Sequence, residues 1–193
     1  MTTVTGTLNT QNNYSSGAAL AILQDRINGV LLGMVAGEKN GGPTCMALEL
    51  ASSLCELGYF STEDILRRYM DWWQFEGFDA GFISPQVFSL IINGEPPSVA
   101  VSRVYEANGS RSAGCNPAHR SLPLAMTAIV ADDQLAHVAR QEAEITHLDP
   151  LAGDVAAATN ILCRKLIRGT SWGDALAMAA VHRKPETICQ QKT

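Results

Sequence analysis

The sequence has no pair of cysteines in a CxxC spacing. Its five cysteines, Cys45, Cys55, Cys115, Cys163 and Cys189, are odd in number and scattered. That pattern disfavours a zinc ribbon or a disulfide frame and fits reduced thiols in a cytoplasmic setting better. An excess of positive charge is also lacking: 14 Lys and Arg stand against 19 Asp and Glu, a net charge of −5. Such a balance argues against a general nucleic-acid or membrane surface, while leaving room for one local cationic pocket. The apolar runs are broken by glycine and charge, and they read as too short to span a bilayer. Internal repeats, low-complexity linkers and alternating strand patterns are missing too. The opening "MTTVTGTLNTQNNYSSG" lacks the basic-then-apolar order of a secretory signal. What is present is 193 residues, 46 % of them hydrophobic, enough for one domain with a substantial core.

Helical periodicity fills that domain. Leu20, Leu23, Ile27, Val30, Leu31 and Met34 recur at three- and four-residue steps and predict a first helix over about residues 17–36. "TCMALELASSLCEL" predicts a second, ended by Gly58. Ser61 with Asp64 resembles a capping box and opens a third. Ser84-Pro85 starts a fourth and Pro96-Pro97 a fifth; Pro117 starts a sixth running into the apolar "LPLAM". Asp132 is expected to cap a seventh, Asp149-Pro150 to start an eighth, and Ser171 to cap a ninth. The expected class is all-α, with short loops between packed helices. Residues 1–16 read as a flexible leader, 17–182 as a single all-α domain and 183–193 as a polar tail.

The stretch "AGCNPAHRSLPLAM", Ala113–Met126, is unusual for a chain with only four histidines. Asn116 and Pro117 are apt residues for a helix start. His119 and Arg120 then fall in the first turn, where the helix dipole mildly disfavours cations. An anionic ligand would offset that cost, and so would a nearby carboxylate. Trp72 and Trp73 read as core packing, one buried and one partly exposed. "GEKNGG" lacks the Gly-Lys-Ser/Thr ending of a phosphate loop and follows a helix, which excludes a nucleoside-triphosphatase reading.

Five segments, in order, resemble the ADP-ribosylglycohydrolase family. "DRINGVLLGMVAGEKNGG" is similar to the family's DR-x-x-G-x-x-x-G opening and its Gly-acid turn. "MALELASSLCELGYF" resembles its second helix, and "EGFDAGFIS" its Phe-Asp-x-Gly turn. "AGCNPAHRSLPLAM" takes the place of an Asn-Gly-x-x-Met-Arg-x-x-Pro-Leu segment, and "EITHLDPLAGDVAAA" resembles the Thr-His-x-x-Pro segment. The resemblance covers roughly residues 25–180. It implies an orthogonal multi-helix bundle with a cleft where a pair of Mg²⁺ ions assists hydrolysis of an ADP-ribosyl linkage.

The resemblance also implies roles. Glu38, Asp79 and His119 would take catalytic positions, Asn116, Arg120 and His147 would hold the substrate, and Asp149 would be a metal ligand. Other readings stand beside these. Glu38 can be a solvated end of its helix, Asp79 a turn former, Asp149 an N-cap and His147 structural. Arg120 can equally pair with Asp79 or Glu38 to lock two helices.

The sequence departs from the family where it carries Gly41, Gly42, Pro43 and Thr44 in place of Thr-Asp-Asp-Thr. The C-terminal Asp-x-Asp-Thr motif has no counterpart either. Mg²⁺ binding is therefore in doubt from the residues themselves, since a hard divalent ion needs several oxygen ligands. Two functions follow: a hydrolase with a degenerate metal site, or a catalytically silent module. The expected partner is an ADP-ribose-like small molecule or an ADP-ribosylated protein, with no nucleic acid and no membrane. A homodimer would cover any apolar face left open.

Overall fold

The computed structural model describes residues 11–181, and side chains from residue 17 onward. Residues 1–10 of the expected leader and the expected tail, 183–193, lie outside the described residues. Ten helices occur among those described: α1 (Gln11–Gly37), α2 (Gly42–Leu57), α3 (Thr62–Phe75), α4 (Ile83–Ile92), α5 (Pro97–Ala107), α6 (Asn116–Arg120), α7 (Pro123–Met126), α8 (Leu135–Glu144), α9 (Pro150–Ile167) and α10 (Trp172–Val181). No strand occurs among them, in keeping with the all-α expectation.

Helix α9 is the hub. It packs against α1, α6, α7, α8 and α10, while α2 packs against α3, α6 and α7. The sequence explains why so many neighbours fit. Ala152, Gly153, Ala156 and Ala157 are all buried on α9, and Ala136, Ala139 and Ala143 are buried on α8. Small side chains at helical spacing let two backbones approach closely. Larger residues of α2, α3 and α4, among them Met46, Leu50, Ile65, Tyr69 and Phe88, fill the main core around them. A second, smaller cluster joins α4 to α5 through Ile83, Val87, Ala100, Val101 and Val104.

Several ends are capped as the sequence predicts. Gly58 adopts φ 74° and its N–H reaches Leu54 O. Ser61 Oγ accepts from the Asp64 N–H, Asp149 Oδ1 from Leu151, and Ser171 Oγ from Asp174. Trp72 is buried beside a half-buried Trp73.

Other expectations are corrected. Asp132 caps no helix; α8 starts at Leu135, and the Asp132 carboxylate instead takes Arg164 and Arg168. The single sixth helix is two short ones, α6 and α7, separated at Ser121 and Leu122. The limit placed on apolar runs also fails. Within α1, Gly17–Gly37 is 21 residues long and, by length and composition alone, apolar enough to cross a membrane. It interrupts that character with Asp25 and Arg26, and Leu20, Ile22, Leu32 and Val35 are exposed.

The connection from α7 to α8 has little regular structure, so its carbonyls need a donor. Arg164 supplies one from α9. Its Nε donates to Ala125 O at 2.7 Å and its Nη2 to Leu124 O and Thr127 O, both at 2.7 Å. Nη1 adds Val130 O at 3.2 Å and Asp132 Oδ1 at 2.7 Å. Replacing this donor with an apolar group strands buried carbonyls. Arg164→Met is expected to lower the unfolding free energy by about 3 kcal/mol. Urea denaturation measures this, and a loss under about 0.5 kcal/mol would mark the residue as an ordinary surface position.

Candidate functional site

The turn between α3 and α4 sits directly on the start of α2. Asp79 there adopts φ 45°, a left-handed conformation uncommon outside glycine. Its carbonyl comes so close to Gly42 that a Cβ on that glycine would lie 2.3 Å from it. The Asp79 side chain is exposed and bonds to no described residue. Glu38 reaches the same helix start: its Oε2 accepts from the Thr44 N–H at 3.0 Å and from the Thr44 hydroxyl. The carboxylate thus satisfies a free N–H in the first turn of α2. Its other oxygen, Oε1, is buried without a partner among the described residues.

Asn116 links this turn to the next segment. It caps nothing; it is the first residue of α6, and its amide donates to Ala80 O. A backbone carbonyl 36 residues away outcompetes the local cap. Beside it opens a hollow of about 280 Å³, lined by Gly81, Phe82, Arg111, Ser112, Gly114, Asn116 and His147 among others. Two of the other hollows, along α9–α10 and between α1 and α2, have mainly apolar linings.

The rim from Ala113 to Asn116 is rich in free donors. None of these four N–H groups has a partner among the described residues. The preceding N–H, Ser112, donates to Asp149 Oδ2 at 3.0 Å. Asp149 therefore has one oxygen on the α9 cap and the other on this rim, and serves as a brace. His147 forms the floor. Gly114 lies close over its ring, where a Cβ would sit 2.8 Å from Nε2.

Arg120 lies beneath that floor, fully buried. Nε donates to Glu142 Oε1 at 2.6 Å, Nη1 to Thr146 Oγ1 at 2.9 Å and Nη2 to Glu142 O at 3.2 Å. Tyr69 donates its hydroxyl to the same Glu142 Oε1 at 2.8 Å, and its ring centroid is 5.0 Å from the guanidinium carbon. Burial pushes the Tyr69 hydroxyl well above its ordinary pKa, which keeps it a donor. The expected phosphate fork is thus a structural ion pair, and its acid is Glu142 rather than Asp79 or Glu38. His119, the next residue back, is exposed and does not line the hollow. Adjacent residues on a helix point about 100° apart, so the sequence neighbours serve different sides.

Of the seven residues expected at a site, Asn116 and His147 line one hollow and Asp149 braces its rim. Glu38 and Asp79 flank the neighbouring helix start, Arg120 lies below and His119 lies outside. Ser112, Gly114, Thr146 and Glu142 were not singled out from the sequence. Only Thr146, in the Thr-His pair, carried a signal that would have found it.

A helical bundle with a donor-rimmed hollow between short helices defines the class. The chain belongs to the ADP-ribosylglycohydrolase family, whose profile matches residues 43–191. The opening segment at residues 25–42 lies outside that match. No curated protein matches the chain.

Among the described residues, no carboxylate set fits a pair of Mg²⁺ ions. No three His, Cys, Asp or Glu side chains cluster to hold a metal among the described residues. Asp149 spends both oxygens on backbone N–H groups, and Glu38 spends one on Thr44. An aspartate at position 42 would collide with the Asp79 carbonyl, so the missing acid cannot simply be restored there.

Burial, reinforced by the Arg120 charge, pushes the His147 pKa down to about 3. The unfolded chain takes up this proton near pH 6.5, so His147 contributes its full stability above that pH. The contribution falls as pH drops toward 3, by up to about 1.4 kcal/mol per pH unit. His147→Asn should flatten that part of the stability profile. Urea unfolding of both proteins across this range measures the difference, and parallel profiles would contradict a buried neutral imidazole.

Proposed function

We propose that this chain binds an ADP-ribose-like ligand, free or attached to a protein, in the hollow rimmed by residues 112–116, without the two-metal hydrolysis associated with its family. The observation that carries the reading is the set of four unpartnered N–H groups at Ala113–Asn116 above the His147 ring. Successive backbone N–H groups around a concavity favour an anion, and a diphosphate is the anionic part of such a ligand. Arg111 at the edge adds an exposed cation suited to a phosphate oxygen. Phe82 is exposed at the same edge and offers an apolar face.

Family membership supports the ligand class, and the lack of an assembled carboxylate cluster among the described residues supports binding over turnover. One feature favours the alternative, a hydrolase with a degenerate site. Glu38 keeps a buried carboxylate oxygen without a partner at the position where the family opening carries an acid.

Calorimetric titration with ADP-ribose, with and without Mg²⁺, followed by a hydrolysis assay on ADP-ribosylated protein, separates these readings. Saturable binding that Mg²⁺ leaves unchanged, with no release of ADP-ribose, is expected. Gly114→Ala should abolish that binding while the protein stays folded, because its methyl group would crowd the His147 ring nitrogen. Metal-dependent release would establish the hydrolase instead. Absence of binding would overturn the proposal.

A further inference from the structure

His147 Nδ1 is 2.8 Å from Thr146 Oγ1. That oxygen already accepts from Arg120 Nη1, and a guanidinium can only donate. Oγ1 has a single hydrogen to give. Of the other acceptors around Arg120, Glu142 O takes Nη2 and Glu142 Oε1 takes both Nε and the Tyr69 hydroxyl, while Glu142 Oε2 is buried with no partner among the described residues and so receives nothing from Thr146 Oγ1. No hydrogen bond runs from Thr146 Oγ1 to any described carbonyl. The imidazole Nδ1 is thus the acceptor within reach for the Thr146 proton.

From this geometry we infer that Thr146, held by the buried Arg120–Glu142 pair, is a positioning residue that fixes the His147 ring as its Nε2–H tautomer and aims a neutral donor into the hollow under Gly114. The proposal rests on reading that hollow as the site of an oxygen-rich ligand. It adds the sign of one contact. Arg120 presents only donors, Thr146 relays that polarity, and His147 passes it to Nε2, 2.8 Å from where a side chain on Gly114 would begin. The rim N–H groups point the same way in chemical terms, because they too can only donate. A phosphate or hydroxyl oxygen with free lone pairs matches every one of these groups.

The tautomer also limits what His147 can do. Nε2 has no lone pair free to take a proton, and Nδ1 is occupied by Thr146. The ring is therefore a fixed hydrogen-bond donor and not the proton carrier expected of a general base. Arg120, fully buried, thus acts on the ligand through Thr146 and His147 and touches nothing in the hollow itself.

Long-range ¹H–¹⁵N correlation spectra of the ligand-free wild-type protein read the tautomer directly, because protonated and unprotonated ring nitrogens have different shifts. His147 should appear with Nε2 protonated and Nδ1 bare. Thr146→Val should give a mixture of tautomers and weaken ADP-ribose binding about tenfold, the loss of one well-placed hydrogen bond. Thr146→Ser, which keeps the hydroxyl, should restore both. A wild-type ring protonated at Nδ1 would overturn the inference, as would a Thr146→Val protein retaining a pure Nε2–H tautomer. The spectra need no ligand and the wild-type reading needs no variant. A protein that fails to bind ADP-ribose yet shows Nε2–H would refute the proposed ligand and leave the tautomer assignment standing.

Discussion

The ion pair between Arg120 and Glu142 is the constraint on which the rest of this structure depends. Both side chains are fully removed from water. Two charges in that position cost several kcal/mol each in lost hydration, and their mutual attraction alone does not reliably recover it. Neighbours offset part of that cost, namely the Tyr69 hydroxyl, the Thr146 hydroxyl, the Glu142 carbonyl and the face of the Tyr69 ring, while Glu142 Oε2 stays buried without a partner among the described residues. Helices α3, α6 and α8 must therefore meet at one point, together with the turn that follows α8. If they separate, a buried charge is left without compensation. The reach of the pair extends to the floor of the hollow, because Thr146 and His147 stand on that turn.

Around this point the hollow is built by close backbone approach more than by side chains. Gly42 admits the Asp79 carbonyl, Gly81 admits the Asn116 amide and Gly114 lies against His147. Each contact excludes a larger residue, so the turns at 77–82 and 108–116 are held in register with the helix ends they touch. Asp149 completes the arrangement by tying Ser112 to the first turn of α9. No acid lines the hollow among the described residues, and of the acids nearby Asp149 is committed through both oxygens to backbone N–H groups and Glu38 through one to Thr44. That distribution offers donors to an anion and, among the described residues, no assembled carboxylate set to a divalent cation.

Much of the fold was legible because its signals are local. A glycine after an apolar run, a serine three residues before an acid, and Asp-Pro before another apolar run each marked a real helix end at Gly58, Ser61 and Asp149. The failures share one physical cause. Asn116 and Asp132 looked like caps by their neighbours in sequence, yet each found a stronger partner more than 30 residues away, in Ala80 O and in Arg164 and Arg168. His119 and Arg120 looked like a pair because they are adjacent, but the roughly 100° step between neighbours on a helix sends them to different environments. Glu142 carried no local hint at all, since its importance exists only once α8 is laid against α6. The family segments could be read in order, whereas the division of labour among their residues required the packing.

The same contacts hold the hollow without drawing on the carboxylates expected at the start of α2. The Arg120 network and the Asp149 brace hold the floor and rim of the hollow through contacts among this chain's own side chains and backbone, apart from the helix start of α2. The most direct test of this account is an ADP-ribose titration of ¹⁵N-labelled protein followed through its backbone amide spectrum. The account predicts that the largest shifts fall together on Ala113, Gly114, Cys115 and Asn116, with His147 moving alongside them. Shifts centred instead on α1 or α10, or no saturable change anywhere, would contradict it.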